Sequence, residues 1–171
     1  MSWCDRRAVL WLLLGLGGCG FHPLYAENSP LGYDPALASV EVRPVPDRIG
    51  QILVQSIREQ LNPRGVRVKP RYVLSIAITV VRADLGIRRD NTSSRGELTI
   101  AATLKLSPPG SDKSVLDDAL STVTSFNRPD DAYAATVAED SASNVAAADL
   151  GRQIAQRIAV YLRHEPREAG T

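Results

Sequence analysis

The sequence predicts an α+β fold, a two-layer sandwich with about four strands in a mixed sheet and two helices packed on one face, in the order β-α-β-β-β-α. Three observations carry that expectation. Apolar residues recur at helical spacing in two segments, Ile49 to Leu61 and Ala147 to Leu162. Apolar and small polar residues alternate strictly from Tyr72 to Val81 and from Leu98 to Leu106. Proline, glycine and asparagine punctuate the junctions.

Taken in order, Ser39 to Arg43 is a short alternating run expected as a strand, ended by Pro44 and Pro46. Asp47 is placed to accept hydrogen bonds from the free N–H groups of the next helix. In that helix Ile49, Leu53, Ile57 and Leu61 share a face, and Asn62, Pro63 and Gly65 stop it. The two long strands follow, with Leu74, Ile76, Ile78 and Val80 on one face of the first. In the second, Leu98, Ile100, Ala102, Leu104 and Leu106 oppose Thr99, Ala101, Thr103 and Lys105. Between them runs ADLGIRRDNTSSRGE, too polar to bury and read as a loop. Val115 to Phe126 alternates again after the Pro108-Pro109-Gly110 turn. Pro129, Asp130 and Asp131 give a helix start, with proline suited to the first turn and carboxylates to the positive end of the dipole. The last helix should end near His164 and Glu165, before Pro166.

Two helices can cover only one sheet face. The other, rich in Ser, Thr and Ala, is either solvated surface or a flat docking surface.

Residues 1–18 read as a cleaved signal peptide. Arg6 and Arg7 precede an apolar stretch, Ala8 to Leu16, far shorter than the roughly 20 residues that span a bilayer. The small residues Gly17 and Gly18 lead directly into Cys19, whose thiol can take a diacylglyceryl thioether before cleavage, so Cys19 is the expected lipidation site, N-acylated and S-diacylglycerylated. Residues 19–36 form the lipidated N-terminus and tether, 37–165 the folded domain and 166–171 a tail. Cys4 lies in the leader, so the mature chain has no cysteine pair to form a disulfide.

Losing Asp5, Arg6 and Arg7 with the leader takes the net charge from +1 to neutral, which argues against a nucleic-acid partner. The two histidines, His22 and His164, stand at opposite ends, away from any metal-ligand spacing. No G-x-S-x-G elbow, Walker loop or Rossmann glycine pattern is present, so no enzymatic activity, metal or cofactor is expected. Asp117-Asp118 reads as an exposed strand start. Arg88, Arg89 and Arg95 could hold phosphate or carboxylate by forked hydrogen bonds, or could pair locally with Asp84, Asp90 and Glu97.

The opening Gly18-Cys19-Gly20-Phe21-His22-Pro23-Leu24-Tyr25, the helix Ile52 to Leu61 followed by Gly65-Val66, and the element order through Leu162 resemble the lipopolysaccharide-assembly lipoprotein family, LptE. The resemblance implies an outer-membrane lipoprotein facing the periplasm, a plug and assembly partner of the LptD β-barrel in lipopolysaccharide transport to the cell surface. Gly20 fits that destination, since aspartate there signals inner-membrane retention. It also implies lipopolysaccharide contact through basic residues in the loop between the second and third strands, where Arg88 and Arg89 match, and Arg95 beside them completes the candidate lipopolysaccharide-binding set. The further basic residue that some members carry early in the last helix has no counterpart among Thr136, Val137 and Ala138. The alternative is a lipopolysaccharide-binding periplasmic lipoprotein that acts through this arginine loop without a barrel partner.

Overall fold

The computed structural model describes residues 34–87 and 93–164. Its elements are α1 (Pro35–Ala38), β1 (Val40–Val42), α2 (Arg48–Leu61), β2 (Tyr72–Ile87), β3 (Ser93–Ser107), β4 (Leu116–Asn127) and α3 (Ala132–His164). The strands form one mixed sheet in the order β1-β2-β3-β4, with β1 parallel to β2 and the other pairs antiparallel. This is the expected α+β sandwich, with one additional helical turn. That turn, α1, straddles the expected boundary between tether and domain. Asp34 caps it by accepting from the Ala36 N–H at 2.9 Å, and Leu37 is buried.

The core is built from one face of each layer. Leu74, Leu98, Ile100, Leu104 and Leu106 from the sheet meet Leu53, Ile57, Leu150, Ile154 and Ile158 from the helices, all essentially inaccessible to water. Each such side chain contributes about 1.5–3 kcal/mol of burial. The helices pack closely because α3 presents small residues, Ala147, Gly151 and Ala155, toward α2. Ser56 Oγ donates to the Ala148 carbonyl at 2.8 Å across this crossing. The α2 stop is as expected: Asn62 exchanges two side-chain hydrogen bonds with the Val66 backbone, and Gly65 takes φ +61°, a conformation open to glycine at no steric cost.

Four expectations are corrected. Asp47 does not cap α2: its backbone lies at φ 76°, ψ 155°, and its carboxylate makes no bond to the helix N–H groups. At the start of α3, Asp131 accepts from the Ala134 N–H at 2.7 Å, and Pro129 lies before the helix rather than in its first turn. The polar segment after Val81 is mostly strand, so the β2–β3 hairpin continues to the pair Ile87 and Ser93. Asp118 does not sit on an exposed face: it points inward, where Arg157 of α3 donates to it at 2.5 Å.

Candidate functional site

The sheet face away from the helices is left uncovered by the chain's described residues. Cross-strand register sets its rows: Ser75, Lys105 and Asp117; Ala77, Thr103 and Ala119; Thr79, Ala101 and Ser121; Val81, Thr99 and Val123; Ala83, Glu97 and Ser125. Strict alternation puts these residues together, since successive strand side chains point to opposite faces. The result is nearly flat, because most of its side chains end at a methyl or hydroxyl. Val81 and Val123, 55% and 58% exposed, stand in one row on either side of Thr99, with Leu85 39% exposed toward the hairpin end.

Charge on this face stands in the two end rows and at Glu97, one row in from the hairpin end. Lys105 and Asp117 share one end row, and Arg95 shares the row of Leu85 and Asn127 at the other. The helix side is different: Arg48 pairs with Asp140 at 3.4 Å, Arg82 with Glu139 at 2.6 Å, and Arg152 with Asp149 at 2.8 Å. A cleft of about 470 Å³ between α2 and β2 is lined by Arg48 and Arg82, but the same two acids neutralise both guanidiniums.

Of the sequence-predicted site residues, Arg95 is the one that the structure places. It is exposed on β3, on the open face, opposite Leu85 and Asn127. Cys19, Arg88 and Arg89 lie outside the described residues, as does Asp90. Asp84, expected to pair with the loop arginines, is held instead by Arg128 at 2.5 Å. Sequence reading missed the exposed valine pair; the signal was present, since Val81 and Val123 continue the outward half of each alternating run.

Among the described residues, Asp118 is the carboxylate whose surroundings clearly shift its acidity. The hydrogen bond from Arg157, with a second from the Ala119 backbone N–H at 2.9 Å, holds its carboxyl below the usual carboxylate range. The pair ties β4 to α3. Among the described residues no group of three His, Cys, Asp or Glu side chains is placed to hold a metal, and no helix is long and apolar enough to cross a membrane.

The profile of the LptE family, Lipopolysaccharide-assembly, matches residues 37–158, from α1 to within the last turns of α3. The chain belongs to the LptE family. Solved structures of other lipoproteins share the fold. A lipoprotein from Caulobacter crescentus superposes with a TM-score of 0.62 at 22% identity, covering 76% of this chain and 95% of its own. A minor lipoprotein from Acinetobacter baumannii gives 0.56 at 18% identity, covering 71% and 89%. The rare lipoprotein B from Shewanella oneidensis gives 0.55 at 16% identity, covering 73% and 97%. Comparison with curated proteins finds no match.

Proposed function

We propose that this LptE-family protein is an outer-membrane lipoprotein, lipidated at Cys19 and facing the periplasm, that plugs and assembles the LptD β-barrel for lipopolysaccharide export. The family match over residues 37–158 is the observation that carries the reading. The open sheet face supports it. Barrel lumens of this class are polar, and a face made mostly of Ser, Thr and Ala, with its charges toward the two ends, suits contact with such a wall. The role requires binding and shape, not catalysis. Two consequences test it. Depleting the protein should leave the barrel unfolded or degraded, and the mass of the mature N-terminal peptide should exceed that of the bare sequence by a diacylglyceryl and an N-acyl group. Normal barrel levels after depletion would overturn the assembly role, and an unmodified Cys19 would overturn the anchor.

A second role rests on Arg95, which lies exposed at the end of the hairpin whose connecting residues include Arg88 and Arg89. A guanidinium there, with Arg88 and Arg89 in the connecting sequence, suits the phosphates of lipopolysaccharide. Replacing Arg88 and Arg89 with alanine should abolish lipopolysaccharide binding and leave barrel levels unchanged. Unchanged binding would remove the arginines from the site.

A further inference from the structure

We infer that the outer edge of β4 accepts an extended segment of the barrel partner as a fifth strand, while the rest of that partner covers the open sheet face. The inference rests on the barrel partnership proposed above and adds which backbone groups receive it.

The direction of those groups follows from the hydrogen-bond phase of the sheet. Arg43 N–H donates to the Leu74 carbonyl and Tyr72 N–H to the Ser39 carbonyl, so the even-numbered residues of β2 face β1. Its odd-numbered residues therefore face β3, and they pair with odd-numbered residues there, such as Ala77 with Thr103. The even-numbered residues of β3 then bond to β4, pairing Ala102 with Leu120 and Ile100 with Thr122. In an antiparallel ladder, residues of the intervening pairs turn N–H and C=O away. Asp117, Ala119, Ser121, Val123, Ser125 and Asn127 consequently direct both groups out from the sheet. The bond from Ala119 N–H to the Asp118 carboxylate, curled round the edge, fits this phase independently. No backbone group among the described residues pairs with the others.

The sheet has three stretches of edge, and two are guarded. On β1, only three residues long, Arg58 donates to the outward Val42 carbonyl at 2.9 Å. On β2 beyond Leu74, the charged Arg82 and Asp84 point toward the helix side at the edge, an arrangement that deters strand addition. β4 has twelve residues, no proline, lysine or arginine, and an unbroken alternation; the inward Asp118 and its bond from the Ala119 N–H guard only the start of this edge, and from Ser121 to Asn127 it carries no charged side chain. A long flat edge of this kind is a template for strand pairing.

Area selects the occupant. Joining a second copy edge to edge along about 40 Å of strand covers only about 200 Å² per partner, far below the roughly 800 Å² of a stable interface. The open face of the three long strands, about 14 Å by 40 Å, supplies roughly 600 Å² more. A partner that adds a strand and also lies over the face reaches the required size. Charge is compatible as well: Asp117 at one end of the edge favours a basic residue opposite it, and the remaining outward positions take small uncharged ones.

Backbone hydrogen exchange on the full chain, alone and in the complex extracted from outer membranes in mild detergent, tests the proposal. In the isolated protein the Ser121, Val123 and Ser125 amides should exchange fast while those of Leu120, Thr122 and Thr124 are protected. In the complex all six should be protected, the odd set by at least about 100-fold. Ser121→Pro removes an outward donor without touching the ladder to β3, and should lower recovery of the barrel by about tenfold. Ala101→Lys, in the middle of the face, tests face contact alone. Odd amides that stay fast in the complex, or barrel recovery lost only with Ala101→Lys, overturn strand addition while leaving the plug reading intact. Protection already present in the dilute isolated chain makes the occupant this chain's own, and protection that appears only on concentrating it makes the occupant a second copy; either overturns the assignment. Absence of any complex removes the plug reading itself.

Discussion

Gly151 gives the sharpest test of how the two long helices are held. It faces α2, and a Cβ built on it would stand 2.7 Å from Ser56 Cβ and 2.9 Å from both the Leu53 carbonyl oxygen and Ser56 Oγ. Favourable carbon contacts begin near 3.5 Å, and two of these neighbours are fixed to the α2 backbone. On an exposed helix, glycine to alanine gains about 1 kcal/mol. Here overpacking costs about 1–3 kcal/mol, and separating the helices loses the Ser56–Ala148 hydrogen bond, about 1 kcal/mol more. Gly151→Ala should therefore destabilise by about 1–3 kcal/mol, read as a lower urea midpoint at unchanged slope and a Tm reduced by about 2–4 °C per kcal/mol. Ser56→Gly removes two of the three close contacts, so a double-mutant cycle should show a coupling of about 1 kcal/mol or more. A stabilised Gly151→Ala, with no coupling to Ser56, would refute the close crossing.

Asp47→Gly should raise stability by about 1 kcal/mol, because φ 76° with ψ 155° lies in a region that only glycine occupies freely and the aspartate makes no cap bond there; a lower urea midpoint would mean that the side chain contributes after all. Arg157→Ala frees Asp118 from its main partner. A carboxyl held below its ordinary value contributes stability above the unfolded-state pKa of about 3.9 and loses that contribution as pH falls through the depressed value. The stability gap between parent and variant should thus be full at pH 7 and close in acid, and a gap that widened below pH 4 would contradict the pairing. Leu150→Ala, at a site fully shielded from water, should cost about 2–5 kcal/mol by the same urea assay. A cost below about 1 kcal/mol would place Leu150 outside the core.

The elements that pattern alone specifies were legible in the sequence. α2 and the body of α3 follow from apolar spacing, and the core of β2 and β3 from alternation, because in each case burial of one face leaves a periodic trace. The far half of the hairpin leaves none. Arg82, Asp84 and Gly96 occupy its inward positions, and what holds it is tertiary: the Phe126 ring lies over Gly96, Arg82 pairs with Glu139 and Arg128 with Asp84. Asp47 has the right side chain for a cap, but its backbone turns that side chain away. Asp118 looked like surface because its partner, Arg157, lies 39 residues on. Strand order, and with it the unguarded β4 edge, is a property of neighbours and not of any single segment. The open face was anticipated from composition; its exposed valine pair needed the register.

Native mass measurement of the protein extracted from outer membranes in mild detergent tests the central claim most directly. One lipidated chain with one β-barrel is the predicted assembly. A lipidated chain recovered alone, while intact barrel appears free in the same extract, would contradict it.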